Sequence, residues 1–224
     1  MQALRYPKKS HRKAIITPQE SINLAEFLGI EFGDGGINNP WQVVISLNSI
    51  SDKNYADYVA KLSQNLFKIT ARLTKRPKRN NLVVVLSSTS LVEFLVTKGA
   101  VRGNKIAQEI DMPEWIKNNE EYQKAFVRGL VDTDGCLYIH KHTVKGKNYK
   151  NIGFCFTSLS KKLIISVANT LKKFDIQPHI TDKERRIYLY NQADISKYLE
   201  VFGSSNTRIT AKYQEWSKQS ERIK

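Results

Sequence analysis

The chain has 224 residues, 41% of them apolar, which is enough for one sizeable domain or two small ones sharing a core and excludes wholesale disorder. Its 36 Lys and Arg against 21 Asp and Glu leave a net charge of +15, which self-repels unless a polyanion neutralises it, so nucleic acid leads the partner classes. No apolar run approaches the roughly 20 residues of a membrane span, no basic amphipathic helix suits an anionic membrane surface, and the N-terminus lacks the apolar stretch of a signal peptide.

Residues 1–18 read as a basic arm with Arg5, Lys8, Lys9, Arg12 and Lys13, either a solvated tail or a phosphate-tracking arm. Residues 19–112 and 113–224 then read as two copies of one unit. Apolar helices over 21–33 and 120–133 stop at Asp34-Gly35 and Asp134-Gly135, 100 residues apart, which is too long for a solenoid repeat. After each stop the period changes from helix to strand. The first copy has a very short hairpin strand at 36–40 and a strand over 41–47; the second has strands over 136–142 and 151–158 around a turn at 145–148. Helices over 53–67 and 161–174 follow, then strand pairs 70–76 with 82–87 and 178–182 with 186–190, then helices over 91–98 and 193–202. Residues 99–118, with Pro113 inside, connect the copies. The order α-β-β-α-β-β-α, twice, predicts an α+β fold with pseudo-two-fold symmetry: two antiparallel four-stranded sheets, each with helices on one face only. Cys136 and Cys155 fall in strands; two cysteines are too few for a disulfide framework and read as reduced thiols in an intracellular compartment, a prokaryotic cytoplasm or an organelle.

The uncovered sheet faces are candidates for nucleic acid. Val43, Ile45 and Leu47 would point inward in the first copy, and Ile152, Phe154, Phe156, Ile187 and Leu189 in the second. That leaves Asn38, Gln42, Ser46, Arg72, Thr74 and Arg76 as outward candidates in the first copy. In the second they are Tyr138, His140, His142, Asn151, His179, Thr181, Arg186, Tyr188 and Tyr190. A two-stranded ribbon fits the DNA major groove, where Arg, Asn and Gln read base edges.

The acidic stops are electrostatically misplaced. Asp34 and Asp134 stand at helix C-termini, where the dipole is already negative and an anion costs about 0.3–1 kcal/mol. Two such placements at matching positions call for a cation, and a hard ion such as Mg²⁺ takes carboxylate, carbonyl and phosphate oxygens, including the last free carbonyls near Gly33 and Thr133. Gly29 and Gly33, and Gly129 and Thr133, are four apart, so small residues line one side of each helix and allow close approach. A central helix pair would bring Asp34 and Asp134 together under the junction of the sheets.

The stretch Arg128-Gly129-Leu130-Val131-Asp132-Thr133-Asp134-Gly135-Cys136 resembles the signature of the LAGLIDADG homing endonucleases, and Leu28-Gly29-Ile30-Glu31-Phe32-Gly33-Asp34-Gly35-Gly36 resembles their Gly-Asp-Gly variant. The resemblance spans about residues 19–216 and implies a monomer whose two sheets form a saddle over a long pseudo-palindromic DNA duplex, cut in both strands with a stagger. It implies that Asp34 and Asp134 hold Mg²⁺, with Mn²⁺ as a substitute and Ca²⁺ bound without cleavage. It also implies a basic residue after each repeat: Lys105 in the first, and Arg208 or Lys212 in the second. Asn48 and Ser158, at the ends of the second strands, are candidates to order a water. Phe32 departs from the pattern set by Asp132, at a position that is not a metal ligand in the family. Members of the family also serve as intron RNA-splicing maturases or non-cleaving DNA-binding regulators, and both readings stay open here. No splicing domain flanks the repeat, which speaks against a complete intein.

Overall fold

The computed structural model describes residues 13–76, 79–181 and 183–221. The first repeat runs α1 (Ile22–Phe32), β1 (Gly35–Asn39), β2 (Gln42–Asn48), α2 (Lys53–Phe67), β3 (Arg72–Arg76), β4 (Asn81–Ser87) and α3 (Thr89–Thr97). After the one-turn α4 (Glu114–Lys117), the second runs α5 (Glu120–Asp134), β5 (Gly135–Val144), β6 (Lys147–Thr157), α6 (Lys161–Lys173), β7 (His179–Ile180), β8 (Arg186–Leu189) and α7 (Gln192–Val201). A last helix, α8 (Thr207–Glu221), has no counterpart in the first repeat among the described residues. The sheets are antiparallel with equivalent strand orders, β1-β2-β4-β3 and β5-β6-β8-β7. The expected α+β pair of sheets is therefore present.

Several boundaries differ from the sequence expectation. Trp41 lies in the tight turn with Pro40, whose fixed φ suits a turn, so β2 starts at Gln42. The β5–β6 hairpin closes on two residues, Lys145 and Gly146, both with positive φ (50° and 76°), instead of a four-residue loop. Such a turn matches strand twist and lets both strands extend to the tip. The strand expected over 178–182 spans His179–Ile180 among the described residues, and Asp182 lies outside them. Helix α8 leaves little trace in the sequence because it is polar: Ile209 and Trp216 are its buried hydrophobic residues. Most of the basic arm, residues 1–12, lies outside the described residues. The remainder of the arm, from Lys13, is largely exposed and is held at two points: Lys13 O accepts the Ser88 hydroxyl, and Ile16 N donates to Phe67 O.

Helices α1 and α5 form the centre. Helix α1 is apolar nearly all round, as an element buried on most sides must be, whereas α5 buries an apolar face of Ala125, Phe126, Val127, Leu130 and Val131 and leaves Glu120 and Glu121 exposed. Ser21 and Asn119 cap their N-termini, accepting from Leu24 N and Tyr122 N. A Cβ on Gly29 would stand 2.2 Å from Phe126 O, and one on Gly129 would stand 2.4 Å from Glu26 O. The helices thus touch backbone to backbone, reciprocally, at equivalent residues. One apolar core runs through both repeats, with Phe27, Ile45 and Val84 on one side and Phe126, Phe154 and Ile187 on the other. An ion pair ties the halves beneath it: the Arg128 guanidinium meets the buried Glu26 carboxylate at 2.5 Å, and Tyr58 and Ser205 hydroxyls also donate to Glu26.

Candidate active site and nucleic-acid interface

The close helix contact continues to the C-terminal ends. A Cβ on Gly33 would stand 2.0 Å from the Thr133 hydroxyl and 3.2 Å from a carboxylate oxygen of Asp134, so the first helix ends against the second repeat's acid. Burial pushes the Asp34 carboxyl up to about 7, and the neighbouring Asp134 charge adds to this. Burial lifts Asp134 to about 6, with Lys105 opposing. Two carboxylates side by side in a poorly hydrated place favour a shared cation. Among the described residues no cluster of three or more His, Cys, Asp or Glu accompanies them, so the protein offers two carboxylates and backbone oxygens. That sparse, hard-oxygen donor set fits a Mg²⁺-like ion.

Each helix end also holds a cation of its own. The Lys105 ammonium donates to Glu31 O, Phe32 O, Gly33 O and Gly35 O at 2.7–2.9 Å. Gly33 O, expected as a metal ligand, thus already accepts Lys105 and keeps one lone pair for anything else. Burial lowers the Lys105 pKa, and Glu31, Asp134 and Asp34 counter that. In the second repeat Arg208 takes the matching place, donating to Gly135 O at 3.1 Å and Asp132 O at 3.2 Å. Lys212 instead pairs with the exposed Glu215. The Thr133 hydroxyl bonds back to Gly129 O and Leu130 O within its helix.

The two ends differ in what surrounds them. Arg208 is fastened to Asp52 of the first repeat at 3.0 Å, and Asn206 bridges Asp52 and Asp132 O. The Asp132 carboxylate is capped by the Ser204 hydroxyl and Ser205 N, turned to structural use, which explains why Phe32 can replace its counterpart. Sequence reasoning missed this Ser204–Asn206 latch, since a polar loop after Gly203 carries no periodic signal. On the Lys105 side a cavity of about 490 Å³ opens, lined among others by Asp134, Lys105, Ser158, Arg185 and Arg186. Asn48 and Ser158, considered for ordering a water, are engaged as turn caps: Asn48 accepts Ile50 N and Ser51 N, and Ser158 accepts Ser160 N.

The outer sheet faces can be read from register. In the first sheet Ser46, Val83 and Thr74 form one row, and Val44, Val85 and Arg72 the next. Gln42 opposes Ser87 and donates to its hydroxyl, Arg76 is level with Asn48, and Asn38 is exposed at the bulged edge strand. Ser46 N donates to Asp34 O, so this row abuts the acids. In the second sheet Tyr138, His140 and His142 face Gly153, Asn151 and Tyr149, while Cys136 faces Cys155. Thr157 opposes Arg186, and Tyr188 opposes both Cys155 and His179. Thr181 N donates to Arg186 O, and Tyr190 follows at the end of β8, 62% exposed. All nine expected residues of the second sheet therefore lie on or continue one face.

The rings on that face are stacked on each other. His140 and His142 lie 5.2 Å apart, His142 and Tyr149 5.5 Å, Tyr188 and Tyr190 5.5 Å, all within 20° of parallel. Tyr149 and Tyr190 at the ends of these stacks remain 44% and 62% exposed. Tyr138 lies over Gly153, where a Cβ would stand 2.4 Å from its ring.

Two family models match, a LAGLIDADG-like domain over residues 121–214 and the WhiA LAGLIDADG-like domain over residues 25–113. The chain belongs to the LAGLIDADG family. Among solved structures this LAGLIDADG protein resembles mesophilic variants of the homing endonuclease I-DmoI, with a TM-score of 0.55 at 19% identity over 82% of this chain and 96% of that one. Further I-DmoI structures hold DNA with Mn or with Ca. The meganuclease I-SmaMI bound to uncleaveable DNA aligns at TM-score 0.57 and 12% identity, covering 89% of this chain and 90% of that one. Full-length DUF199/WhiA from Thermatoga maritima aligns at 0.54 and 16% identity, covering 92% and 67%. At these identities the likeness establishes the fold. A search of curated proteins returns no match. Among the described residues no helix is long and apolar enough to cross a membrane.

Proposed function

We propose that this protein is a site-specific homing endonuclease that makes a staggered double-strand break in a long DNA target by divalent-metal-assisted hydrolysis. The observation that carries the reading is the convergence of Asp34 and Asp134, both half-buried, at the ends of a reciprocal backbone-to-backbone helix pair. Such a placement opposes both desolvation and the helix dipole, and a cation relieves both. The presence of DNA with Mn or Ca in the I-DmoI structures supports the same choice of ligand here.

On this reading the duplex lies across the outer faces of the two sheets, and its phosphates reach the junction where the acids stand. Asp34 and Asp134 supply the protein's anionic oxygens. Lys105 and Arg208, one at each helix end, place fixed positive charge beside the phosphodiester as negative charge develops. A bound Mg²⁺ or Mn²⁺ there supplies Lewis-acid activation of the phosphoryl group and of a water.

The match of residues 25–113 to the WhiA domain favours one alternative, a non-cleaving DNA-binding regulator. The test is cleavage of DNA spanning the gene's own insertion locus, with that insertion removed, in Mg²⁺. Asp34→Asn and Asp134→Asn are expected each to lower the rate by about 10²-fold or more. Cleavage that survives both substitutions removes the acids from the chemistry. Specific binding with no cleavage under Mg²⁺ or Mn²⁺ selects the regulator.

A further inference from the structure

The register of the β5–β6 hairpin sets Cys136 directly opposite Cys155. Residues opposite one another in an antiparallel ladder have Cα atoms about 4.5 or 5.5 Å apart, and disulfides bridge about 4.4–6.8 Å, so either pairing type lies within reach. Directly opposite residues also point their side chains to the same face, here the outer one. Cys136 is exposed, Cys155 is half-buried, and both are free. Their thiols hydrogen-bond to each other, with the Tyr188 hydroxyl beside Cys155. The chain holds no third cysteine to compete. The tight turn at Lys145-Gly146 and the unslipped ladder from Gly135 to Val144 fix the pair in place.

We propose that Cys136 and Cys155 form a reversible dithiol–disulfide site, open to small disulfides of the glutathione class in the free protein and closed when duplex DNA lies on the second sheet. The second clause rests on the nucleic-acid reading above; the first does not. One cysteine thiolate attacks a sulfur of the small disulfide, giving a mixed disulfide and one departing thiolate. The opposing thiolate then attacks the protein sulfur of that mixed disulfide and expels the second small thiolate. The two protein thiols are oxidised, the small disulfide is reduced to two thiols, and the two protein S–H protons end on those thiols. The crosslink sits one residue beyond Gly135, whose carbonyl accepts Arg208, so it staples the hairpin beside the acids.

The experiment treats the full chain with oxidised glutathione in mildly alkaline buffer, alone or with linear plasmid DNA at low salt in Ca²⁺. Thiols are followed by alkylation and intact mass. Without DNA, both thiols are expected to be lost together, the mass to fall by two hydrogens with no glutathione retained, and dithiothreitol to restore both. Cys136→Ser is expected to retain one glutathione on Cys155. Separate adducts on both cysteines, disulfide-linked dimers or unreacted thiols overturn the site. With DNA bound, as a gel shift verifies, loss of the thiols is expected to slow in step with the fraction bound. An unchanged rate on bound DNA overturns the closure and the placement of duplex on this sheet. Failure to bind the plasmid at all overturns the closure through the nucleic-acid reading, and the crosslink result stands apart from it.

Discussion

At the middle of the first sheet's outer face stand Val44, Val83 and Val85, with Arg72, Thr74 and Arg76 along the edge strand. The same face of the second sheet carries Tyr138, His140, His142, Asn151, Arg186 and Tyr188, on strands of 10 and 11 residues where the first hairpin has 5 and 7. Under these unlike faces the helix pair is alike on both sides, glycine against backbone in each direction. The contrast separates two demands. The centre must fix two carboxylates to a fraction of an ångström, so its contacts are backbone contacts; a reading face needs polar variety, and β-strands accept it on their solvent side without cost to the core.

The largest expected effect tests the sameness at the centre. Gly29→Ala and Gly129→Ala each force a methyl into backbone atoms and should each cost about 3 kcal/mol in urea denaturation. Tolerance of one but not the other would break the symmetry. Next comes the difference between faces. Arg186→Ala or Tyr188→Ala should relax base preference in its half-site by about 1–3 kcal/mol, read by binding to a library randomised there. Ser46→Ala and Thr74→Ala should move theirs by about 0.5 kcal/mol or less. Equal losses would mean that the apolar first face reads as strongly as the aromatic one.

A smaller effect concerns pH. Burial holds the Asp34 carboxyl near 7 in the fold against an ordinary 3.8, so its ionisation works against folding. The stability tied to the protonated form is complete below about 4 and is lost as pH rises through about 7. Without divalent ions, Asp34→Asn should therefore raise the melting temperature at pH 8 by about 3 °C and leave it unchanged at pH 4. Mg²⁺ at pH 8 should stabilise the parent and not the variant. Asp134→Asn should follow the same course, with its loss complete once pH has risen through about 6. The smallest effect separates the two basic candidates: Lys212→Ala should alter stability by about 0.5 kcal/mol or less and leave cleavage intact, because its partner is an exposed carboxylate. Arg208→Ala should slow cleavage.

The repeat, the helix stops and the inward–outward alternation were legible because each leaves a period in the sequence: Val43, Ile45 and Leu47, or Ile187 and Leu189, can face only one way. The meeting of Asp34 with Asp134 followed from Gly29, Gly33 and Gly129. Choosing Arg208 over Lys212 was not legible, since both precede Glu215-Trp216 and only the fold shows which reaches Gly135 O. Nor was the Asp52–Asn206–Asp132 latch, whose members come from three distant polar loops or helix ends. The pairing of Cys136 with Cys155 hung on a turn length, because a hairpin closed by four residues instead of two changes which residues stand opposite.

The reciprocal glycine contact has a consequence for redesign. It acts as a ruler: the gap between the two helices that carry the acids, and on the proposed chemistry the offset between the two nicks, is set where Gly29 and Gly129 meet the facing main chain. On the same reading the sheet faces act as an address label. On that chemistry, relabelling Arg186 or Tyr188 should redirect the protein to new sites while every break keeps the same overhang.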